Sequence, residues 1–412
     1  MLEKVTTMTH KLKLYFILIL SICLLTGCWD KKELTDIAFV SAIGIDKGED
    51  GQYVGTFQIV NPSNVAGGLQ GGSGQEGSTV TVYQITGKNM VDVSRRAANE
   101  ISRVLFYSHA NLVVIGEELA REEGIDGILD GLDRDDRFRD SSKVVIARGT
   151  TASELLQITT PIDKIPANKV IKTLQFSEQQ WGEQWPVKIR DILNALTSTG
   201  KEPVIPSFSI YGDWEAAKSL ESLQRMNPEG IIRTNGLGIF KEGKLLGWIH
   251  DEQARGTAWV MDKIHSSNIT IEWEGEMEAI SFQVVREKTK VKLEFDGDRP
   301  VAKFDIQTHG ELGEVNVPIN VKDRHIRNQI EKKVEKEIKR MIHSTITEVQ
   351  AYQADIFGFG EKVYQSHPKK WRQIKGDWQD HYFPEMKVEV KVDAMISGTG
   401  LRSNSFKYIE HD

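Results

Sequence analysis

The sequence predicts an α/β and α+β multidomain chain: an N-terminal mixed α/β domain, a small middle domain, and a C-terminal antiparallel sheet packed with a long helix. Three observations carry this. Short apolar strands alternate with helical patterns through the first part of the chain, as in "NLVVIG" (111–116) and "KVVIARG" (143–149). Strict apolar–polar alternation then runs through 278–313, the mark of an antiparallel sheet with one face in water. Finally, Ile326, Ile330, Val334, Ile338, Ile342, Ile346 and Val349 recur at helical spacing and form one stripe over 324–356.

Taken in order, residues 1–27 read as an export signal. Lys4, Lys11 and Lys13 precede an apolar run at 14–25, too short to span a bilayer, which needs about 20 residues. Leu25-Thr26-Gly27-Cys28 then reads as a bacterial lipobox, with small residues beside the scissile bond and a thiol that can be alkylated. Cys23 lies in the segment to be removed, so the mature chain would hold one cysteine, already modified, and no disulfide. A single acyl chain binds membranes at only about 10⁴ M⁻¹, so the two or three chains of a lipoprotein cysteine are what make attachment stable.

The mature chain starting at Cys28 has 385 of the 412 residues, enough for two or three domains. We expect domains at 28–205, 206–275 and 276–412. Loss of three lysines and one glutamate moves the net charge from −7 to −9, which argues against nucleic acid as a partner. Residues 36–60 read as two strands joined by a polar turn, and 61–79 as a long mobile Gly/Ser-rich loop before a strand at 80–87. A helix is predicted over 88–105, with Val93, Ala97, Ile101 and Val104 or Leu105 on one face. Thr151 and Glu154 form a capping-box pattern at a helix start. Residues 160–230 are Pro-rich and read as loose, with a domain transition at 200–230. A hairpin at 235–249 turns at 241–243, and the 278–313 meander turns at "REKTK" and "DGDRP". A last strand at 387–396 closes the C-terminal sheet.

No catalytic constellation is visible, and the chain reads as a non-enzyme without cofactor or metal. Gly72, Gly74 and Gly77 match the dinucleotide fingerprint only in letters, because a strand pattern follows where a helix N-terminus is needed. "DKGEDG" (46–51) lacks the twelfth-position glutamate of a calcium loop. The histidines show no zinc-ligand spacing, and no G-x-S-x-G elbow is present. "DGLDRDDRFRDS" (130–141) alternates Asp and Arg and reads as a self-neutralising salt-bridge loop.

"GCWDKKELTDIAFVSAIGID", the 102–149 block, "NGLGIFKEGKLLGWI" and "QADIFGFGEKVYQSHPKKW" followed by Trp378 together resemble the Ger(x)C-type spore germination lipoproteins over nearly the whole mature chain. The resemblance implies three α/β-type domains and a non-catalytic C subunit of a germinant receptor, working beside membrane subunits. It also implies lipid anchoring at the outer face of the cytoplasmic membrane, the inner membrane of the spore. Only Cys28 carries over with a defined role, as the lipidated residue. His109, Asp133, Arg134, Asp136, Arg137, Arg139 and the 324–356 helix are candidates for subunit contacts, and direct germinant binding is left open. The alternative is a lipid-anchored solute-binding protein of an importer, which would need two similar α/β lobes.

Overall fold

The computed structural model describes residues 34–67 and 77–400, together with the single residues 13, 15 and 407. Apart from residues 13 and 15, the expected signal segment, the lipobox with Cys28, and Gly72 and Gly74 of the glycine-rich pattern lie outside the described residues.

The first unit is built on a nine-stranded mixed sheet. Its strands are β1 (Ile37–Lys47), β2 (Tyr53–Val60), β3 (Val80–Gly87), β4 (Val104–Phe106), β5 (Leu112–Gly116), β6 (Lys143–Ala147), β7 (Val204–Gly212), β8 (Gly230–Lys241) and β9 (Lys244–Ile249). The order is β3-β2-β1-β5-β6-β7-β8-β9, with β4 paired to the start of β1. The centre, β1-β5-β6-β7, is parallel, and antiparallel hairpins extend both edges. The apolar runs of β5 and β6 follow from this position: every residue of Leu112–Gly116 is buried, because helices cover both faces of a parallel core.

Several local readings hold for local reasons. Thr151 Oγ1 accepts from Glu154 N at 3.0 Å and Glu154 Oε2 accepts from Thr151 N at 2.8 Å, closing the capping box of the Ala152–Gln157 helix. The β8–β9 turn places Glu242 (φ 50°) and Gly243 (φ 77°) in the left-handed region, the two-residue turn whose twist suits a hairpin.

Others differ. The helix predicted to 105 stops at Arg96 (Met90–Arg96), continues as one 3₁₀ turn, and yields to β4, because Val104, Leu105 and Phe106 pair with Ile37, Ala38 and Phe39. The start of the glycine-rich loop forms a short helix, Pro62–Gly67, with proline at its first position. The Pro-rich stretch is ordered into the Pro166–Gln180 and Ile189–Thr197 helices. The 235–249 hairpin, expected in a middle domain over 206–275, extends the first sheet instead, since β8 pairs with β7 along its length.

The second unit is a four-stranded sheet of β10 (Ser267–Trp273), β11 (Glu276–Asp296), β12 (Arg299–Val315) and β13 (Lys387–Gly398), in that order. "REKTK" does not turn; β11 runs through it with a register shift between Val284 and Arg286. The turn falls after Asp296, where Gly297 has φ 64°. Three strands are antiparallel, but β13 joins β12 in parallel, a departure from the all-antiparallel expectation that follows from β13 returning after the long helix and its successors. That helix, Arg324–Ala351, starts at Asp323, whose side chain accepts from His325 N, and buries Ile330, Val334, Ile338, Ile342, Ile346 and Val349. It holds the Asp251–Val260 helix of the chain between the sheets: a Cβ on Gly256 would strike the Thr345 side chain, so only glycine permits the approach.

Candidate functional site

Open parallel sheets ordinarily hold ligands at the carboxyl ends of their strands. Here the chain closes that position with its own carboxylates. Asp46, at the end of β1, accepts from Ala152 N at 2.8 Å and Ser153 N at 3.0 Å, standing where an anion would meet a helix N-terminus. Burial pushes its pKa up against the pull of these two amides. Beyond β5, Glu117 accepts from Gly149 N (2.9 Å), Arg121 (2.8 Å) and Trp248 Nε1 (3.2 Å). Burial acts to raise the Glu117 pKa, but these three donors outweigh it and hold it below the usual range. Arg148 caps the group, 4.5 Å over the Trp248 ring and donating to Asn235 O at 2.9 Å.

The open concavity lies elsewhere. A cleft of about 1170 Å³ is bounded by the Met90–Arg96 helix, the 98–105 segment and the 131–138 loop, with Ile43 of β1 and Phe57 of β2 at its floor. Three local features shape it. Asn89 caps the helix, its side chain accepting from Asp92 N, and Asp92 in turn grips Arg96 at 2.9 Å. Tyr107 is buried, its hydroxyl 2.8 Å from Ser94 Oγ, and burial raises its pKa. Phe138 (ring centroids 6.4 Å) and Arg137 (5.4 Å) pack on the Tyr107 ring, fixing the loop against the floor.

The Asp/Arg alternation of the loop largely neutralises itself, as its pattern suggested. Arg134 pairs with Asp130 at 2.7 Å and Arg137 with Asp135 at 2.6 Å, and each partnership holds the aspartate below the usual carboxylate range. By contrast, the exposed guanidinium groups of Arg95 and Arg103 meet no carboxylate or acceptor among the described residues, although both line the cleft.

Of the candidate contact residues, Arg134, Asp136 and Arg137 line the cleft. Asp133 ends the Asp126–Asp133 helix and Arg139 follows the loop; both are exposed and neither lines it. His109 is exposed at the end of a 3₁₀ turn, its ring 5.7 Å from Phe39 and 5.6 Å from Phe106, and stands outside the lining. The basic face of the long helix is partly spent: Arg340 binds Glu337 at 2.6 Å and Glu252 of the neighbouring helix at 2.5 Å. Sequence reasoning missed Ser94, Arg95 and Arg103, which lie in a segment that reads as an ordinary amphipathic helix, and Tyr107, which follows it. Among the described residues no cluster of three or more metal-ligating side chains occurs, and no helix is long and apolar enough to cross a membrane. Among the described residues the two sheets differ in strand number and pairing, unlike the two similar lobes that the importer alternative requires.

Comparison with known proteins places these features in a family. Residues 30–210 match the spore germination protein N-terminal domain, and residues 235–400 match the spore germination B3/GerAC-like C-terminal domain. The chain is 40% identical to Spore germination protein KC of Bacillus subtilis (strain 168), over 97% of this chain and 99% of that one. It is 25% identical to Spore germination protein B3 of the same organism, over 95% and 98%. The crystal structure of the GerBC protein shares the fold, with TM-score 0.55 and 22% identity, covering 89% of this chain and all of that one.

Proposed function

The chain belongs to the Ger(x)C family of spore germination proteins, and on that premise we propose that it is a lipid-anchored C subunit of a germinant receptor, held at the outer face of the spore's inner membrane through Cys28. The observation that carries this reading is the end-to-end match to Spore germination protein KC, combined with a lipobox whose cysteine ends the apolar run.

In this role the protein contributes a surface, not a reaction. The loop bearing Asp133, Arg134, Asp136, Arg137 and Arg139, with His109 beside β4, is the face we assign to membrane-subunit contacts. Its support is the density of exposed charge on a segment that the Tyr107 stack holds in place. Exposed ion pairs contribute little to stability, about 0–1 kcal/mol, so such a loop is free to exchange its partners for those of another chain.

Cys28→Ala tests the anchor. The variant is expected to accumulate as unprocessed precursor or to leave the membrane fraction, with loss of nutrient-triggered germination. Wild-type fractionation together with wild-type germination would sink the proposal.

A further inference from the structure

The cleft combines an apolar floor with guanidinium groups that meet no acceptor among the described residues. Ile43 and Phe57 are almost fully buried beneath it, while Val91 and Val104 stand 62% and 53% exposed at its walls. Exposed valines beside a deep apolar floor mark surface that is stabilised by a ligand, because a lone solvated cleft of this kind leaves apolar area in water. At about 1170 Å³ it is slightly larger than the usual small-molecule site of about 300–1,000 Å³. Its lining carries four arginines (Arg95, Arg103, Arg134, Arg137) against Asp36, Asp135 and Asp136, a net positive charge on a chain whose net charge is −7. Arg137 takes Asp135, and Arg134 is held by Asp130 from outside the lining. Arg95 and Arg103 are left with no acceptor among the described residues, although Asp36 is the next residue before Ile37, which pairs with Val104.

We propose that this cleft binds an amphipathic anion, with the apolar body on the floor between Val91 and Val104 and a phosphate or carboxylate head taken by Arg95 and Arg103. Guanidinium groups suit such a head because their planar fork donates two parallel hydrogen bonds to a phosphate or carboxylate. Neither half of the ligand suffices: the floor offers no acceptor-free discrimination by charge, and two exposed arginines alone bind a small ion weakly.

Two sources share this chemistry, a free amphiphile and an anionic bilayer lipid. The second is within reach if the proposed anchoring holds, and in that respect alone the inference rests on it. Asp36 lines the cleft and lies eight residues after Cys28, a covalent reach of at most about 29 Å.

The test uses the full chain in phosphatidylcholine discs, titrated with octyl phosphate by calorimetry against empty discs. Arg95→Ala/Arg103→Ala is expected to weaken binding by about tenfold or more, and Arg95→Lys/Arg103→Lys by less, since charge survives while the fork is lost. n-Octanol and inorganic phosphate should each bind about tenfold more weakly than octyl phosphate. Val91→Ser, on the exposed wall, should weaken octyl phosphate binding by removing apolar contact while adding no charge that could pair with either arginine. Equal binding by the double alanine variant, or octanol binding as tightly as octyl phosphate, would overturn the proposal. Repetition in phosphatidylglycerol discs identifies the source: loss of octyl phosphate binding there marks the bilayer lipid, and unchanged binding marks a free amphiphile. Failure of the anchor would appear as Cys28→Ala protein that fractionates normally, and would leave the calorimetric difference untouched.

Discussion

Two regions of this molecule are dense in charge and aromatic rings, and they are built in opposite ways. At the seam between the two sheets, the units are tied by direct contacts beside a small concavity of about 240 Å³ that Glu202 and Ile356 line. Glu202 N donates to Asp355 O at 2.8 Å and Glu361 N donates to Gly200 O at 3.2 Å. The Asp355 carboxylate, fully buried, accepts from Gly360 N at 2.8 Å and Trp378 Nε1 at 3.0 Å, while Gln379 accepts from Asp355 N at 2.8 Å. A Cβ on Gly200 or Gly360 would meet the other's backbone and the Trp371 ring within 2.8 Å, so the two segments pack backbone to backbone. At the cleft, Arg95 and Arg103 have no such answer among the described residues, and apolar walls stand in water. Charge density therefore does not by itself mark a working site.

The sharpest way to break the comparison is at Asp355. Asp355→Ala orphans two buried donors and should destabilise by about 3 kcal/mol in urea unfolding. Asp355→Asn keeps an acceptor and should cost about 1 kcal/mol. A loss below about 0.5 kcal/mol for the alanine variant would show that the seam is not the directly tied element described.

The seam should also titrate. Burial, which one unpartnered carboxylate oxygen aggravates, raises Asp355 to about 6, and burial raises Glu202 to about 7. Both bind protons more tightly folded than unfolded, where they titrate near 3.8 and 4.5. Their contribution is thus most favourable when both are protonated, and is lost as pH rises from about 4 to about 7. The Asp355→Asn/Glu202→Gln variant should flatten the unfolding midpoint across that window, and an unchanged slope would remove the seam as its source.

The smallest effect belongs to the cleft. Because Arg95 and Arg103 are exposed and meet no partner among the described residues, Arg95→Ala/Arg103→Ala should change stability by less than about 0.5 kcal/mol. A larger loss would make these arginines structural and erase the contrast with the seam.

What could be read in advance was local. The stripe on Arg324–Ala351, the Thr151–Glu154 capping box and the β8–β9 turn each follow from residues a few positions apart. What could not be read depended on distant partners. Val104 and Leu105 continue a helical pattern until β1 offers them a pairing edge, and the 235–249 hairpin joins the first sheet only because β7 is its neighbour. The parallel entry of β13 is equally non-local. The "FGFG" and tryptophan block was recognisable as family sequence, but its role as seam required Gly200 from the other unit. The same holds for the site: Arg134, Asp136 and Arg137 were singled out by charge, whereas Arg95 and Arg103 became significant only when three segments closed around one floor.

The central claim is the proposal that the open cleft, and not the seam or the strand ends, binds a ligand on which this chain's part in germination depends. It is tested most directly by replacing the chain's own gene with the Arg95→Ala/Arg103→Ala form and following nutrient-triggered germination of the resulting spores. With the variant present at normal levels in the membrane fraction, the account predicts a response that is lost or needs about tenfold more nutrient. Germination at the wild-type rate with limiting nutrient would contradict it.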